Sequence, residues 1–192
     1  DSEMKARGVA NQNEKVYVSP YNDASIVLGQ GTIGCEIKNQ CDGLDAIIVS
    51  VGGGGLIGGT ASYLKSVWPS LQVIGCSPEN SAVMIHSLEK GEILDLESLP
   101  TLSDGTAGGV EKHSITFSIC KDIIDQTFLL SEQEIQNGML KFIENERMLL
   151  EGAAGTAVAT LIKMKDELKG KKVGVVICGG NISLDILNKV LK

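Results

Sequence analysis

The sequence predicts an α/β domain with a mostly parallel open sheet and helices on both of its faces. Three observations lead there. Apolar, β-branched runs alternate with stretches of helical periodicity along nearly the whole chain, the pattern of repeated strand–helix units. The run Ala46–Val51 carries no charge, as a strand covered on both faces requires. It passes directly into Gly52-Gly53-Gly54-Gly55 and then a helix start, and open sheets of this kind bind ligands at the carboxyl ends of their strands.

Taken in order, Ser2–Asn13 reads as a polar helix and Val16–Ser19 as a short strand closed by Pro20. Asn22 or Asp23 caps a helix that carries Ile26, Val27, Ile33 and Ile37 to about Gln40. After the first buried strand and the glycines, a helix runs from about Ile57 to Val67, and Trp68-Pro69 ends it. Leu71–Cys76 is the next strand and Ala82–Lys90 a short helix. Gly91–Val110 has little periodicity and reads as an ordered excursion. Ile115–Ile124 is a helix and Gln126–Leu130 a strand. Ser131-Glu132-Gln133-Glu134 is a capping box, opening a helix with Ile135, Met139, Phe142 and Ile143. Glu151-Gly152-Ala153-Ala154-Gly155 is expected to break it, with a small-residue helix then running to Leu168. Val173–Cys178 is the last strand and Leu184–Leu191 the last helix.

The four-glycine turn has the makings of an anion site. Backbone N–H groups can converge there, the helix N-terminus adds positive potential, and no Cβ blocks a close approach. Three ligands compete for it. Gly53 to Gly58 satisfies G-x-G-x-x-G, the dinucleotide pattern, and Glu79 lies at a suitable distance, but beyond Pro78; the strand end itself offers Ser77. Gly53 to Thr60 nearly satisfies the P-loop pattern, with Gly59 where the lysine belongs. The third candidate is the phosphate of a cofactor such as pyridoxal phosphate. A plain strand-to-helix turn is the bland alternative. The later segment Cys178-Gly179-Gly180 also follows a strand, so the two glycine stretches are expected to face one pocket.

Composition narrows the class. The 192 residues form one large domain or one and a fraction, and the core is aliphatic, with 43% apolar but only 4% aromatic residues. The net charge of −7 argues against nucleic-acid or anionic-membrane partners. Five cysteines, with no C-x-x-C pair, point to reduced thiols and a cytoplasmic setting. No apolar run is long enough to span a bilayer. The opening residues Asp1-Ser2-Glu3-Met4-Lys5-Ala6-Arg7 begin within a helical pattern, as expected of a piece of a longer protein. His86 and His113 read as surface or loop histidines without a role.

Four motifs stand in register: Gly29-Gln30-Gly31-Thr32, Gly52-Gly53-Gly54-Gly55-Leu56, Leu150-Glu151-Gly152-Ala153-Ala154-Gly155 and Cys178-Gly179-Gly180-Asn181. Together they resemble the threonine/serine dehydratase and serine racemase group of fold-type II pyridoxal-phosphate enzymes, from about Val16 to the C-terminus. The resemblance implies the larger part of a tryptophan synthase β-like large domain. Residues 15–192 would be the C-terminal part of that cofactor-binding domain, and residues 1–14 the end of a small substrate domain. It implies that Gly52, Gly53, Gly54, Gly55 and Leu56 hold the phosphate of pyridoxal 5'-phosphate. Cys178, with Gly179 beside it, would face the pyridine nitrogen. Gly105 would line the cofactor or substrate, and Glu151 would act at the ring edge and substrate. Without the resemblance, Cys178 reads as core packing, Glu151 as a helix cap and Gly105 as a turn residue.

Two departures from the group matter. Its Ser-Phe-Lys and Ser-Gly-Asn-His segments, which supply the cofactor-linked lysine and the substrate-carboxylate contacts, are absent from this chain. Where racemase-like members hold a divalent cation with carboxylates, this chain has Ser77 and Val83, so no metal site is expected. The activity implied is an ammonia-lyase, removing water from L-threonine or L-serine to give a 2-oxo acid and ammonia. Serine racemase and 3-hydroxyaspartate dehydratase are the alternatives within the group, and a non-catalytic phosphate-ligand module the alternative outside it. The expected partners are a small amino-acid substrate, the N-terminal half of the same enzyme and further copies in a homo-oligomer. The chain alone is expected to be inactive.

Overall fold

The computed structural model describes residues 2–192, with side chains from Glu3 onward. Asp1, assigned above to the small-domain remnant, lies outside the described residues. In chain order the elements are α1 Ser2–Gln12, α2 Ala24–Gln40, β1 Ala46–Ser50, α3 Gly55–Val67, β2 Gln72–Pro78 and α4 Val83–Lys90. Then follow α5 Ile115–Ile123, β3 Gln126–Leu130, α6 Glu132–Glu146, α7 Gly152–Lys163, β4 Val173–Val175 and α8 Leu184–Val190.

The four strands form a parallel sheet in the order β3-β2-β1-β4. β1 is buried at every position, because helices cover both of its faces, and this is why the run tolerates no charge. Its side chains alternate. Ala46 and Ile48 join Ile74 and Cys76 against Ile135 and Met139 of α6, Ala157 of α7 and Val190 of α8. Ile47 and Val49 join Val73 against Ile37 of α2, Leu64 of α3, Met84 of α4 and Cys120 of α5. Full burial of Ile47, Ile48 and Leu64 stabilises the fold by roughly 1.5–3 kcal/mol each.

Strand order places the site. From β1 the chain adds β2 and then β3 on one side, and only afterwards β4 on the other. The winding therefore reverses between β1 and β4, and a crevice opens there at the carboxyl ends of the strands. The glycine loop leaves β1 and the Cys178 segment leaves β4 at that crevice.

Local signals account for several boundaries. The Asp23 carboxylate accepts the Ser25 N–H at 2.7 Å and caps α2. The capping box forms at α6, with Ser131 and Glu134 satisfying each other's backbone N–H groups. Elsewhere the structure corrects the reading. Val16–Ser19 is no strand: among the described residues no strand lies beside it, and Val16 and Val18 are 90% and 67% exposed. β4 stops at Val175; the Val176 N–H still reaches the Ile48 carbonyl at 3.0 Å, and the chain then leaves the ladder although β1 runs on beside β2 to Ser50. Gly152 to Gly155 do not break a helix but begin α7, which ends at Lys163 rather than Leu168.

Candidate functional site

A cavity of about 1300 Å³ occupies the crevice. Gly52–Leu56, Gly105, Glu151, Cys178 and Gly179 all line it. Residues singled out on the sequence, from segments as far apart as Gly52 and Gly179, thus meet in one place.

The glycine loop is held from behind. The Thr116 hydroxyl donates to the Gly53 carbonyl at 2.6 Å, and the Gly58 N–H to the Gly54 carbonyl at 2.9 Å. The first N–H groups of α3 have no acceptor within their own helix, and the helix dipole makes this end positive. The loop's glycines are required for a reason the sequence did not disclose. A Cβ on Gly53 would strike the Tyr21 ring, and one on Gly55 would lie 3.0 Å from Tyr21 Cα. A Cβ on Gly52 would lie 2.9 Å from the Thr106 carbonyl oxygen. Gly54 has φ +86°, and its Cβ would meet Cys120 Sγ at 2.7 Å. Neighbouring protein takes the space that the missing Cβ atoms leave, so the loop is a tight turn packed against Tyr21, Thr106 and α5. Burial pushes the Cys120 thiol up to about 12, leaving a neutral group behind the loop.

Opposite lies Glu151, the N-cap residue of α7. Its side chain makes no capping bond. It turns instead to the loop after β4, where Oε2 accepts the Asn181 N–H at 3.1 Å. Its backbone N–H donates to the Gly179 carbonyl at 3.0 Å. A Cβ on Gly179 would run into the carboxylate, and one on Gly105 would come within 3.2 Å of Oε1. Glu151, Gly105 and Gly179 therefore form a single contact set, with Cys178 adjoining. Burial, and then the Glu151 charge, raise the Cys178 thiol above its ordinary value, so it stands as a neutral S–H at neutral pH. At the base of the cavity, the Ser50 hydroxyl at the end of β1 donates to the Ala153 carbonyl at 2.6 Å and ties the sheet to α7.

These features suit a phosphorylated pyridine cofactor. A dipole-backed N–H loop can take a phosphate. A neutral thiol can face a ring nitrogen. A carboxylate is packed between two glycines whose missing Cβ atoms make room for it at the cavity wall. Ser77 is fully buried and its hydroxyl donates to the Val51 carbonyl at 2.6 Å, while Val83 is a core residue of α4. No cluster of metal-ligating side chains occurs among the described residues.

Sequence reading left Tyr21, Thr106 and Glu111 out of the cavity lining. Nothing in their spacing marks them: Tyr21 follows Pro20 in a turn, and only its ring against Gly53 shows what it does.

Comparison with known proteins identifies the class. Residues 1–179 match the family of pyridoxal-phosphate dependent enzymes, and the chain belongs to that family. An L-threonine ammonia-lyase of Thermotoga maritima is 40% identical over 177 residues, which are 92% of this chain and 43% of that protein. The processed form of threonine deaminase isoform 2 from Solanum lycopersicum superposes with a TM-score of 0.89 at 30% identity, over 97% of this chain and 55% of that one. Serine racemase from Dictyostelium discoideum superposes at 0.84 with 34% identity, over 95% and 59%. The fold is thus that of the fold-type II enzymes, and the family's cofactor is pyridoxal phosphate. The chain spans about half the length of the relatives it matches.

Proposed function

We propose that this chain is the cofactor-binding part of an ammonia-lyase that converts L-threonine or L-serine to a 2-oxo acid and ammonia. The observation behind the reading is the meeting of the glycine loop, Cys178 and Glu151 in one cavity at the β1–β4 switch point. In this reading Gly52 to Leu56 hold the cofactor phosphate through their N–H groups. The Cys178 thiol faces the pyridine nitrogen, and Gly105 and Gly179 make room for the Glu151 carboxylate at the ring edge. Glu151 carries charge and exchanges a proton at Oε1 beside the substrate. When bound, pyridoxal phosphate withdraws electrons from the substrate Cα. The Cα proton is lost, the Cβ–O bond breaks as water leaves, and the released enamine hydrolyses to the oxo acid and ammonia.

The lysine that removes the Cα proton is proposed to come from a portion of the protein outside this chain. Lys112 is the one lysine among the described residues of the cavity lining, and it is exposed on a loop. Residues 1–14 are read as the end of a small substrate domain. A reducing, cytoplasmic setting fits five cysteines that are all unpaired. A homo-oligomer fits the exposed apolar side chains Leu28 and Val18, at 75% and 67%. No helix among the described residues is long and apolar enough to cross a membrane.

The test is product analysis on the complete enzyme supplied with L-threonine and L-serine. Stoichiometric ammonia and 2-oxo acid support the reading; D-serine accumulating without ammonia would favour the racemase instead. The elimination rate is expected to stay within about twofold when EDTA is added, because Ser77 and Val83 offer no carboxylates to a divalent ion. Replacing Cys178 by aspartate is expected to lower elimination at least about tenfold, since a carboxylate there would protonate the ring nitrogen and redistribute charge from Cα. A chromatographic product assay and a kcat measurement check the two.

A further inference from the structure

A polar cluster in the cavity wall joins α1 to the loop that carries Gly105. Glu111 lies at its centre. The Arg7 guanidinium donates to Glu111 Oε2 at 2.6 Å and stacks on the Tyr17 ring at 4.6 Å. The Asn22 side-chain amide donates to the same oxygen at 2.9 Å. The Glu111 N–H donates to the Tyr21 hydroxyl at 2.8 Å. Four residues further on, the Ile115 N–H donates to Asn22 Oδ1 at 3.0 Å. Tyr21 and Asn22 thus grip the 111–115 segment at both ends. Within it His113 has φ +61°, a left-handed conformation that such contacts must hold.

The same corner supports the glycine loop. The Tyr21 ring backs Gly53 and Gly55, and its hydroxyl takes the Glu111 N–H. Glu3, Met4 and Arg7 of α1 line the cavity, and so does the segment Gly105–Lys112. The Arg7–Glu111 pair closes the gap between them.

We propose that Glu111, gripped by Tyr21 and Asn22 and locked by Arg7, is a positioning residue: it holds the Gly105–Glu111 wall against α1 and so sets the substrate pocket. The inference rests on the lyase reading for its substrate, and on the hydrogen bonds alone for the clamp. Arg7 matters beyond an exposed ion pair. Glu111 Oε1 is already buried without a hydrogen-bond partner among the described residues, so removing Arg7 leaves the carboxylate with Asn22 and little else.

The experiment uses the complete enzyme with Arg7→Met, Glu111→Gln and the double variant. Each single variant is expected to raise KM for the amino acid about fivefold or more with kcat within about twofold. The double variant should resemble either single one, because one contact is lost in all three. Arg7→Lys should recover part of the loss. Pyridoxal-phosphate affinity should hold within about twofold, since the Tyr21 ring and Thr116 still brace the glycine loop. Amide hydrogen exchange over residues 104–114 should be faster in both single variants, a readout that needs no activity. If the wild-type enzyme eliminates nothing, the lyase reading fails while exchange still judges the clamp. Unchanged exchange, fully additive KM effects, or a lower thermal midpoint with KM unaltered would overturn the proposal.

Discussion

Replacing Gly54 by valine abolishes pyridoxal-phosphate binding and lowers the thermal midpoint by roughly 8–16 °C; this is the largest effect expected of any single change. Two costs add. Gly54 sits at φ +86°, where a β-branched residue is strained by about 1–3 kcal/mol. Its Cβ would also meet Cys120 Sγ at 2.7 Å, with the Met84 methyl and Thr116 close by, and overpacking of this kind costs roughly 1–3 kcal/mol. A total near 4 kcal/mol corresponds to that shift for a chain of this size. Relief would have to come from the loop itself, which would turn its N–H groups away from the cavity. Gly91 supplies the control: it shares φ +86° but has nothing within 4 Å of its would-be Cβ. Gly91→Val should therefore show the strain alone and bind cofactor normally. Calorimetric unfolding with a cofactor titration below the midpoint measures both. Normal binding by a folded Gly54→Val protein would mean the loop does not hold the phosphate.

The second large effect concerns chemistry. Glu151→Gln is expected to lower kcat of the complete enzyme at least about 100-fold, with cofactor affinity changed only slightly. The amide keeps the shape of the side chain and can still accept the Asn181 N–H, so packing between Gly105 and Gly179 is preserved. What is lost is a group that carries charge and exchanges protons. A second readout comes from Cys178. The Glu151 charge contributes to its raised thiol, so removing that charge should shift its alkylation profile to lower pH. A kcat within about threefold of wild type would reduce Glu151 to a spacer between two loops.

How far the sequence carried can be traced through particular residues. Ser131 and Glu134 announced α6, and the capping box formed, because a cap is local chemistry that tertiary contacts need not supply. The uncharged run before Gly52 announced the central strand, since burial on both faces leaves its mark on composition. Val16–Ser19 misled for the opposite reason. β-branched residues fit a strand, but a strand needs a neighbour, and among the described residues none lies beside it. The extent of β4 was likewise a matter of pairing rather than propensity: it pairs with β1 only as far as Ile48↔Val175, and Ile177 and Cys178 lie in the loop beyond although β1 itself runs on to Ser50. At the site, Gly52 to Leu56, Glu151, Cys178 and Gly179 were legible as motifs, and Gly105 only through the resemblance those motifs carry. That the glycines owe their places to Tyr21, Thr106 and Cys120 was not, because those contacts join residues 32 to 66 positions apart. The Arg7–Glu111 pair spans 104 positions and left no local pattern.

The central claim is that the glycine loop at the β1–β4 switch point holds the phosphate of pyridoxal phosphate. Isothermal titration of the 192-residue chain with pyridoxal phosphate, repeated in inorganic phosphate and with NAD, tests it most directly. One cofactor per chain should bind, with competition from inorganic phosphate, and NAD should bind no better than phosphate alone. Pyridoxal phosphate binding indifferent to phosphate, or a tight stoichiometric NAD complex, would contradict it.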